Sequence, residues 1–205
     1  MLKTPLYAKC KNYDFAKLFE EKGYTWYSKG EYNLNIIGVR ADNNNIVTNV
    51  YDDVLVVDYN TPVAHKRAIF TIATEPGRYY MANPIAAKGS AILVPGQYKS
   101  CWQIAKHKGL YKALCQCKPV KVYRDNNRDM VYDLDPETAE TGMFGINIHR
   151  SNEEYVPANV DKYSAGCQVF ADSKEFGVFM NLCTKQMLQY GNKFTYTLLN
   201  EKDLV

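Results

Sequence analysis

The sequence predicts an α+β fold that is mainly β, with a mixed or antiparallel sheet or sandwich and a short helical segment at the N-terminus. Short β-branched runs alternate with Asn, Asp and Pro clusters over most of the 205 residues. Apolar residues at helical spacing occur near both ends of the chain. Apolar residues make up 46% of the chain, enough for one sizeable core. We therefore expect a helical segment at residues 1–33 and one domain at residues 34–205.

Two helices are expected. Residues 12–23 place apolar side chains at helical spacing, begin at Asn12, which can cap a helix, and end at Gly23. Residues 173–183 place four apolar side chains on one helical face, which packing against the core explains.

Seven strands are expected where β-branched and aromatic residues cluster between turn residues. They cover residues 34–40, 53–58, 65–74, 90–94, 118–123, 144–149 and 194–199. No internal repeat or low-complexity segment separates them. Strands that follow one another in this way indicate a sheet-dominated α+β domain.

Charge and hydropathy exclude several classes of protein. The chain has 25 Lys and Arg against 22 Asp and Glu, a net charge of +3, and the two signs are interspersed. We therefore expect no nucleic-acid partner. No apolar run approaches the roughly 20 residues that span a bilayer, and the start has no signal-peptide core. The sequence thus predicts a monomer made in the cytoplasm without a signal peptide and without insertion into a membrane.

The six cysteines are expected to be reduced thiols, because they make up only about 3% of a chain without a secretion signal. Cys115 and Cys117 are separated by one residue, and no second pair stands at zinc spacing. We expect no metal site and no cofactor.

One histidine and one cysteine carry the chemistry of this sequence. His149 ends an apolar strand eighteen positions before Cys167, and Cys167 closes the small-residue turn Ser164-Ala165-Gly166-Cys167. A nucleophilic cysteine needs a base, an exposed sulfur and backbone N–H groups for the oxyanion. The turn can supply the last two, and His149 can act as the base, which would move the pKa of the thiol towards neutrality.

His149, fourteen intervening residues and Ser164-Ala165-Gly166-Cys167 together resemble the signature of the L,D-transpeptidase (YkuD-like) catalytic domain. Residues 90–98 are similar to a second strand and turn of that family, which would lie on the same sheet. The resemblance covers roughly residues 34–199. It implies a YkuD-like fold and a substrate among peptidoglycan stem peptides.

The resemblance also implies roles for single residues. Cys167 would be the nucleophile and His149 its base. Ala165, Gly166 and Cys167 would form the oxyanion turn, and the carbonyl of Arg150 would orient the imidazole. The acyl group would pass from a thioester on the cysteine to water in a peptidase, or to an amine in a transpeptidase.

The sequence departs from the family at three positions, and it lacks an export signal. Ala165 replaces a histidine, Gln168 stands at an apolar position, and Val169 replaces Asn or Arg. We therefore favour hydrolysis, as in a phage endolysin that reaches the wall when a holin opens the membrane or as a virion component. The alternative is a non-catalytic wall-binding or virion structural protein that keeps the fold.

Three further residues have two interpretations each, and a fourth has one. Ser164 either holds the turn by hydrogen bonding, which we favour, or takes part in proton transfer. Arg150 either binds a substrate carboxylate or is structural. His107 would line the groove and replace the histidine absent at position 165, or be structural. His65 is expected at the surface, at a strand end.

Residues 125–133 place oxygen-bearing side chains at positions 1, 3, 5 and 9 of a calcium loop. Met130 stands at the glycine position and Pro136 at the position of the bidentate glutamate. An acidic hairpin turn is therefore the preferred interpretation. A calcium-dependent adhesive domain is the third functional reading of the chain.

Overall fold

The computed structural model describes residues 4–205. Its strands in chain order are β1 (Asn35–Arg40), β2 (Asp53–Asn60), β3 (His65–Ala73), β4 (Ser90–Leu93), β5 (Gly96–His107), β6 (Tyr111–Gln116), β7 (Val120–Asp125), β8 (Glu140–Gly142), β9 (Ile148–Arg150), β10 (Gln168–Phe170) and β11 (Phe194–Asn200). Eight of them form a closed barrel in the order β1-β11-β5-β6-β9-β10-β3-β2, and β4-β7-β8 form a small second sheet. The pairs β1–β11 and β9–β10 are parallel, and the other ladders are antiparallel. The predicted α+β class with a mixed sheet is confirmed, and this sheet closes on itself.

The helices are short except for the last. They are α1 (Pro5–Lys11), α2 (Phe15–Glu21), α3 (Arg78–Ala82) and α4 (Ser173–Tyr190), with 3₁₀ turns at Pro136–Thr138, Asp161–Tyr163 and Glu201–Asp203. In residues 4–205 no helix has the length and apolar character needed to cross a membrane.

The predicted helix at residues 12–23 is shorter than expected and has a different cap. The Asp14 carboxylate, rather than Asn12, accepts a hydrogen bond from the Lys17 N–H, so α2 begins at Phe15. Helix α1, capped by the Thr4 hydroxyl, was not predicted. The predicted helix at residues 173–183 continues to Tyr190 and ends at Gly191, whose φ is +83°.

Each predicted strand has a counterpart, but the bounds of one change the site. The run 144–149 becomes strand only from Ile148, because Gly145 has a φ of +73° and turns the chain before it. Strands β5 and β6 were not predicted, because charged and amide side chains interrupt their apolar residues. This hairpin forms one wall of the cleft described below.

The N-terminal helices pack on the outside of the barrel. Apolar side chains of α1 and α2 form one cluster with outward-facing residues of β1 and β2. The Arg67 guanidinium joins the two parts: Nε and Nη2 each lie 2.6 Å from an Asp58 carboxylate oxygen. Its Nη1 donates to the carbonyl oxygens of Cys10, Lys11 and Tyr13. One buried arginine thus anchors the end of α1 and the start of α2.

Helix α4 packs an aromatic face against the main core of the barrel, as its spacing predicts. The ring centroids of Phe176 and Phe179 lie 5.4 and 5.1 Å from that of Phe170 on β10. Phe179 is fully buried. Because β10 directly follows the turn that carries Cys167, the packing of α4 against Phe170 fixes the strand to which this turn is joined.

A buried charge cluster lies at one end of β1, β2 and β3. Arg40 Nε is 2.6 Å from the Glu75 carboxylate, and both side chains are almost fully buried. Burial and the neighbouring Glu75 carboxylate hold the pKa of Asp53 well above its usual range. Burial also raises the pKa of Glu75, so ionisation of both neighbouring carboxyl groups at once is unfavourable.

We predict that Glu75→Ala lowers the free energy of unfolding by about 3–5 kcal/mol, because it leaves the buried guanidinium without its carboxylate. Urea unfolding measures this. The control is Lys17→Ala, which removes an exposed i,i+4 pair with Glu21 and should change the free energy by about 0.5 kcal/mol or less. Equal effects of the two substitutions would show that the buried pair is not structurally important.

Candidate active site

The parallel pair β9–β10 places His149 and Cys167 on one face of the barrel wall. His149 lies opposite Val169, and Ile148 lies opposite Gln168. Side chains alternate along a strand, so Ile148 and Gln168 point into the barrel, while His149 and Val169 point outwards. Cys167, two positions before Val169, also lies on the outer face, and both candidate residues line one cleft.

The cleft has a volume of about 430 Å³ and is bounded by the cysteine turn, the end of β5, the loop before β9 and the 3₁₀ turn at Asp161–Tyr163. Three of its lining residues are cationic: Lys108, Arg124 and Lys162. No Asp or Glu lines it within the described part of the chain. The cleft therefore has a positive character.

Ser164 and Gly166 give the turn its shape. The buried Ser164 hydroxyl donates to the Cys167 carbonyl at 2.8 Å and accepts from the Gly166 N–H at 3.1 Å. Gly166 has a φ of +122°, and a Cβ there would collide with the carbonyl of Ala91 on β4. Ser164 thus holds the turn, the first of its two interpretations. Strand β4 belongs to the small sheet, whereas residues 96–98 begin β5 of the barrel, so only the last part of residues 90–98 shares the sheet of the turn.

The turn leaves two backbone donors for an oxyanion. The Gly166 N–H donates to the Ser164 hydroxyl, so Gly166 contributes to the predicted oxyanion turn through its backbone conformation and not through its own N–H. Within residues 4–205, the N–H groups of Ala165 and Cys167 have no protein acceptor. Ala165 and Cys167 both line the cleft. These two amides can converge on a carbonyl oxygen.

The Cys167 thiol is neutral in this structure. Its Sγ–H donates to the Gly145 carbonyl at 3.3 Å, and Sγ accepts from the Asn147 N–H at 3.5 Å. Burial raises the pKa of the thiol to about 11. The expectation that His149 moves this pKa towards neutrality is wrong, because no hydrogen bond joins the two side chains in the described residues.

His149 has the tautomer that a general base needs. Its Nδ1–H donates to the Arg150 carbonyl at 2.7 Å, as the resemblance implies, so Nε2 carries no proton. The Tyr111 hydroxyl donates to the same carbonyl at 3.2 Å. Burial, and then the neighbouring His107, lower the pKa of His149 to about 3. The imidazole is thus a neutral base through the physiological pH range.

His107 lies in the cleft, as one interpretation predicted. Its ring stacks on that of His149 with centroids 4.1 Å apart. Asn147 donates from Nδ2 to His107 Nδ1 at 3.0 Å, while its Oδ1 accepts from the Gln116 N–H. His107 therefore carries its proton on Nε2. It supports the ring of His149 and limits how far that ring can turn.

The Arg150 side chain does not lie in the cleft. Its guanidinium stacks over the Tyr111 ring at 4.1 Å and bonds to Glu153 at 2.8 Å. Arg150 is structural, the second of its two interpretations, and its carbonyl serves His149. Sequence reasoning missed Asn147 and Lys108; the position of Asn147, two residues before His149 on the same strand face, is the signal that could have found it.

The other two expected surface features lie away from the cleft. His65 is exposed at the start of β3, as predicted. In the acidic turn, Asp125 accepts from the Asp133 N–H, and Asn127 donates to the carboxylates of Asp129 and Asp133. Residues 4–205 contain no group of three or more His, Cys, Asp or Glu side chains placed to hold a metal ion. The turn is held by its own hydrogen bonds.

We predict that the alkylation rate of Cys167 by iodoacetamide rises about tenfold per pH unit from pH 7 to 10, because only the thiolate reacts and its pKa is about 11. Peptide mapping by mass spectrometry measures the rate at Cys167, and Cys167→Ser identifies the labelled peptide. Glutathione, as a control thiol, should level off above about pH 9. A rate at Cys167 that is already constant at pH 7 would instead show a preformed thiolate–imidazolium pair.

Comparison with known proteins identifies no relative of this chain. No family model, no curated protein and no solved structure matches the chain. The resemblance to the L,D-transpeptidases therefore depends on the spacing of His149 and Cys167 and on the sequence of the turn between Ser164 and Cys167. What the chain does is inferred from the geometry of its cleft.

Proposed function

We propose that this chain is a cysteine acyl-transfer enzyme that hydrolyses peptide bonds in peptidoglycan stem peptides. One observation carries the proposal: Cys167, Ala165 and His149 with an unprotonated Nε2 line one cleft, and within residues 4–205 the N–H groups of Ala165 and Cys167 have no protein acceptor. Nucleophile, base and oxyanion donors are the three parts that acyl transfer requires.

The reaction follows from these groups. His149 Nε2 takes the proton of the thiol, and Sγ forms a bond to the substrate carbonyl carbon while the amides of Ala165 and Cys167 bind the oxyanion. The C–N bond then breaks, and the leaving amine takes the proton from His149. Water then attacks the thioester carbonyl while His149 takes one of its protons; the C–S bond breaks, the leaving sulfur takes that proton from His149, and a carboxylic acid and the free thiol are released.

The pKa values favour deprotonation during attack rather than before it. A thiol with a pKa of about 11 and an imidazole with a pKa of about 3 form very little ion pair in the resting enzyme. The thiol must also leave the Gly145 carbonyl, which rotation about its Cα–Cβ bond allows.

The charge of the cleft supports a substrate with carboxylate groups, as stem peptides have. Arg124 is paired with Glu140 at 2.6 Å and is held in place. Lys108 lies next to the paired histidines, and Lys162 Nζ lies 4.3 Å from the centre of the Tyr79 ring. Within residues 4–205, Lys108 and Lys162 form no ion pair with a carboxylate, so both can bind an anionic substrate.

A non-catalytic wall-binding or virion structural protein is the second candidate. The hydrogen bond from the Cys167 thiol to the Gly145 carbonyl favours it, because this bond occupies the thiol hydrogen that His149 would have to remove. Such a protein would use the cationic cleft to bind stem peptides without cleaving them.

Incubation with defined stem peptides and mass analysis of the products tests the proposal. We expect hydrolysis products from the wild type, none from Cys167→Ala, and a rate lower by roughly 10²–10⁴ for His149→Ala, which removes the base. Cys115→Ala is the matched control, since Cys115 is a partly buried thiol on β6 outside the cleft. Cross-linked products alone would replace hydrolysis by transpeptidation; binding without any product would support the second candidate.

We also predict that kcat/KM changes less than threefold between pH 8 and pH 5. The pKa of His149 is lowered to about 3, so its neutral form persists over this range and is lost only as the pH falls through about 3. A histidine of ordinary pKa would lose roughly thirtyfold by pH 5. A pH–rate profile decides, and a decline that begins near pH 6.5 would contradict the role given to burial.

A further inference from the structure

A buried glutamine behind the cysteine turn is the most unusual side chain near the cleft. Gln168 follows Cys167 directly, points into the barrel and is fully buried. A buried amide is destabilising unless its polar atoms form hydrogen bonds, so the partners of Gln168 determine whether the fold tolerates it.

The hydrogen bonds of Gln168 link the barrel interior to the turn. Its Nε2 donates to the Gly166 carbonyl and to the Thr74 carbonyl, each at 3.3 Å. Its Oε1 accepts from the Tyr196 hydroxyl at 2.8 Å, and Tyr196 is itself fully buried. Both amide hydrogens and the amide oxygen are therefore used, which fixes the rotamer of Gln168 and the direction of its NH₂ group.

The barrel makes room for this chain of bonds. A Cβ at Gly38 on β1 would collide with the Tyr196 hydroxyl, so only glycine at that position lets the phenol reach Gln168. Arg40 Nη2 also donates to the Thr74 carbonyl, at 3.3 Å. The Gln168 amide is thus held from β11 on one side and from the end of β3 on the other.

The Gly166 carbonyl belongs to the same peptide unit as the Cys167 N–H, the donor assigned to the oxyanion. A trans peptide is planar, with its C=O and N–H on opposite sides. Because Gln168 holds the carbonyl towards the barrel interior, the Cys167 N–H must point the other way, into the cleft. A donor on the carbonyl also polarises the peptide and strengthens its N–H as a donor.

We propose that Gln168, held by Tyr196, is a positioning residue that aims the Cys167 N–H at the substrate oxyanion. The inference rests on the proposed function, because an oxyanion forms only if the cleft performs acyl transfer. Gln168 itself touches neither substrate nor reacting atoms.

Two variants and two rates test the proposal. Gln168→Met keeps the length of the side chain without its hydrogen bonds, and the milder Tyr196→Phe removes one hydroxyl. We expect kcat for stem-peptide hydrolysis to fall on the order of tenfold or more in Gln168→Met, with KM within twofold, and to fall less in Tyr196→Phe. Alkylation of Cys167 by iodoacetamide forms no oxyanion and should stay within twofold in both variants.

Gln186→Met is the matched control. Gln186 is a buried glutamine of α4 that accepts from the Leu34 N–H and donates to the Lys193 carbonyl, outside the cleft. Hydrolysis by Gln168→Met as fast as that by Gln186→Met would overturn the proposal. Equal losses in hydrolysis and alkylation would overturn it too, because they would mean that the whole turn had moved.

The backbone amide resonance of Cys167 in ¹⁵N-labelled protein separates this inference from the proposed function. We expect it to shift in Gln168→Met and in Tyr196→Phe but not in Gln186→Met, whether or not the protein turns over a stem peptide. An unchanged resonance would overturn the positioning role. If the resonance shifts in these two variants but the wild type hydrolyses no stem peptide, the contact is supported and the enzymatic function is rejected.

Discussion

The parallel pairing of β9 with β10 determines where both candidate catalytic side chains lie. Each strand has only three residues, so one register, with His149 opposite Val169, sets the whole arrangement. A slip by one residue would turn His149 into the barrel and expose Ile148, which is costly because Ile148 is fully buried. The apolar core therefore holds the polar site in register, and the same alternation sends Gln168 inwards.

The polar interior of the barrel supports the site from behind. The Thr74 carbonyl accepts from Arg40 and from Gln168, so the buried charge cluster and the cysteine turn share one anchor. Polar groups of this kind cost free energy unless every one is paired, and here they connect β1 and β3 to the turn. The turn is thus fixed by hydrogen bonds within the barrel, while in the described part of the chain the N–H groups of Ala165 and Cys167 have no protein acceptor.

Local patterns in the sequence predicted seven of the eleven strands and singled out His149 and Cys167, which line one cleft, because strand propensity and motif spacing are properties of short segments. Closure of the sheet was not predictable, since β5 and β6 carry polar side chains and form only by pairing with distant strands. The direction of the Cys167 pKa was wrong in the sequence interpretation for a similar reason. It depends on burial, which raises the pKa, and on the opposing hydrogen bond from the Asn147 N–H, 20 residues away along the chain.

The central claim is that Cys167, a neutral thiol in the resting site, acts as the nucleophile. It therefore requires an acyl-enzyme on this sulfur once a substrate is bound. The most direct measurement is the intact mass of the protein after acid quenching in the presence of a stem peptide. The account predicts a mass increase equal to the acyl part of the substrate, located on Cys167 by peptide mapping and removed by hydroxylamine, as expected for a thioester. Hydrolysis that proceeds without any adduct on Cys167, or with an adduct on another residue, would contradict it.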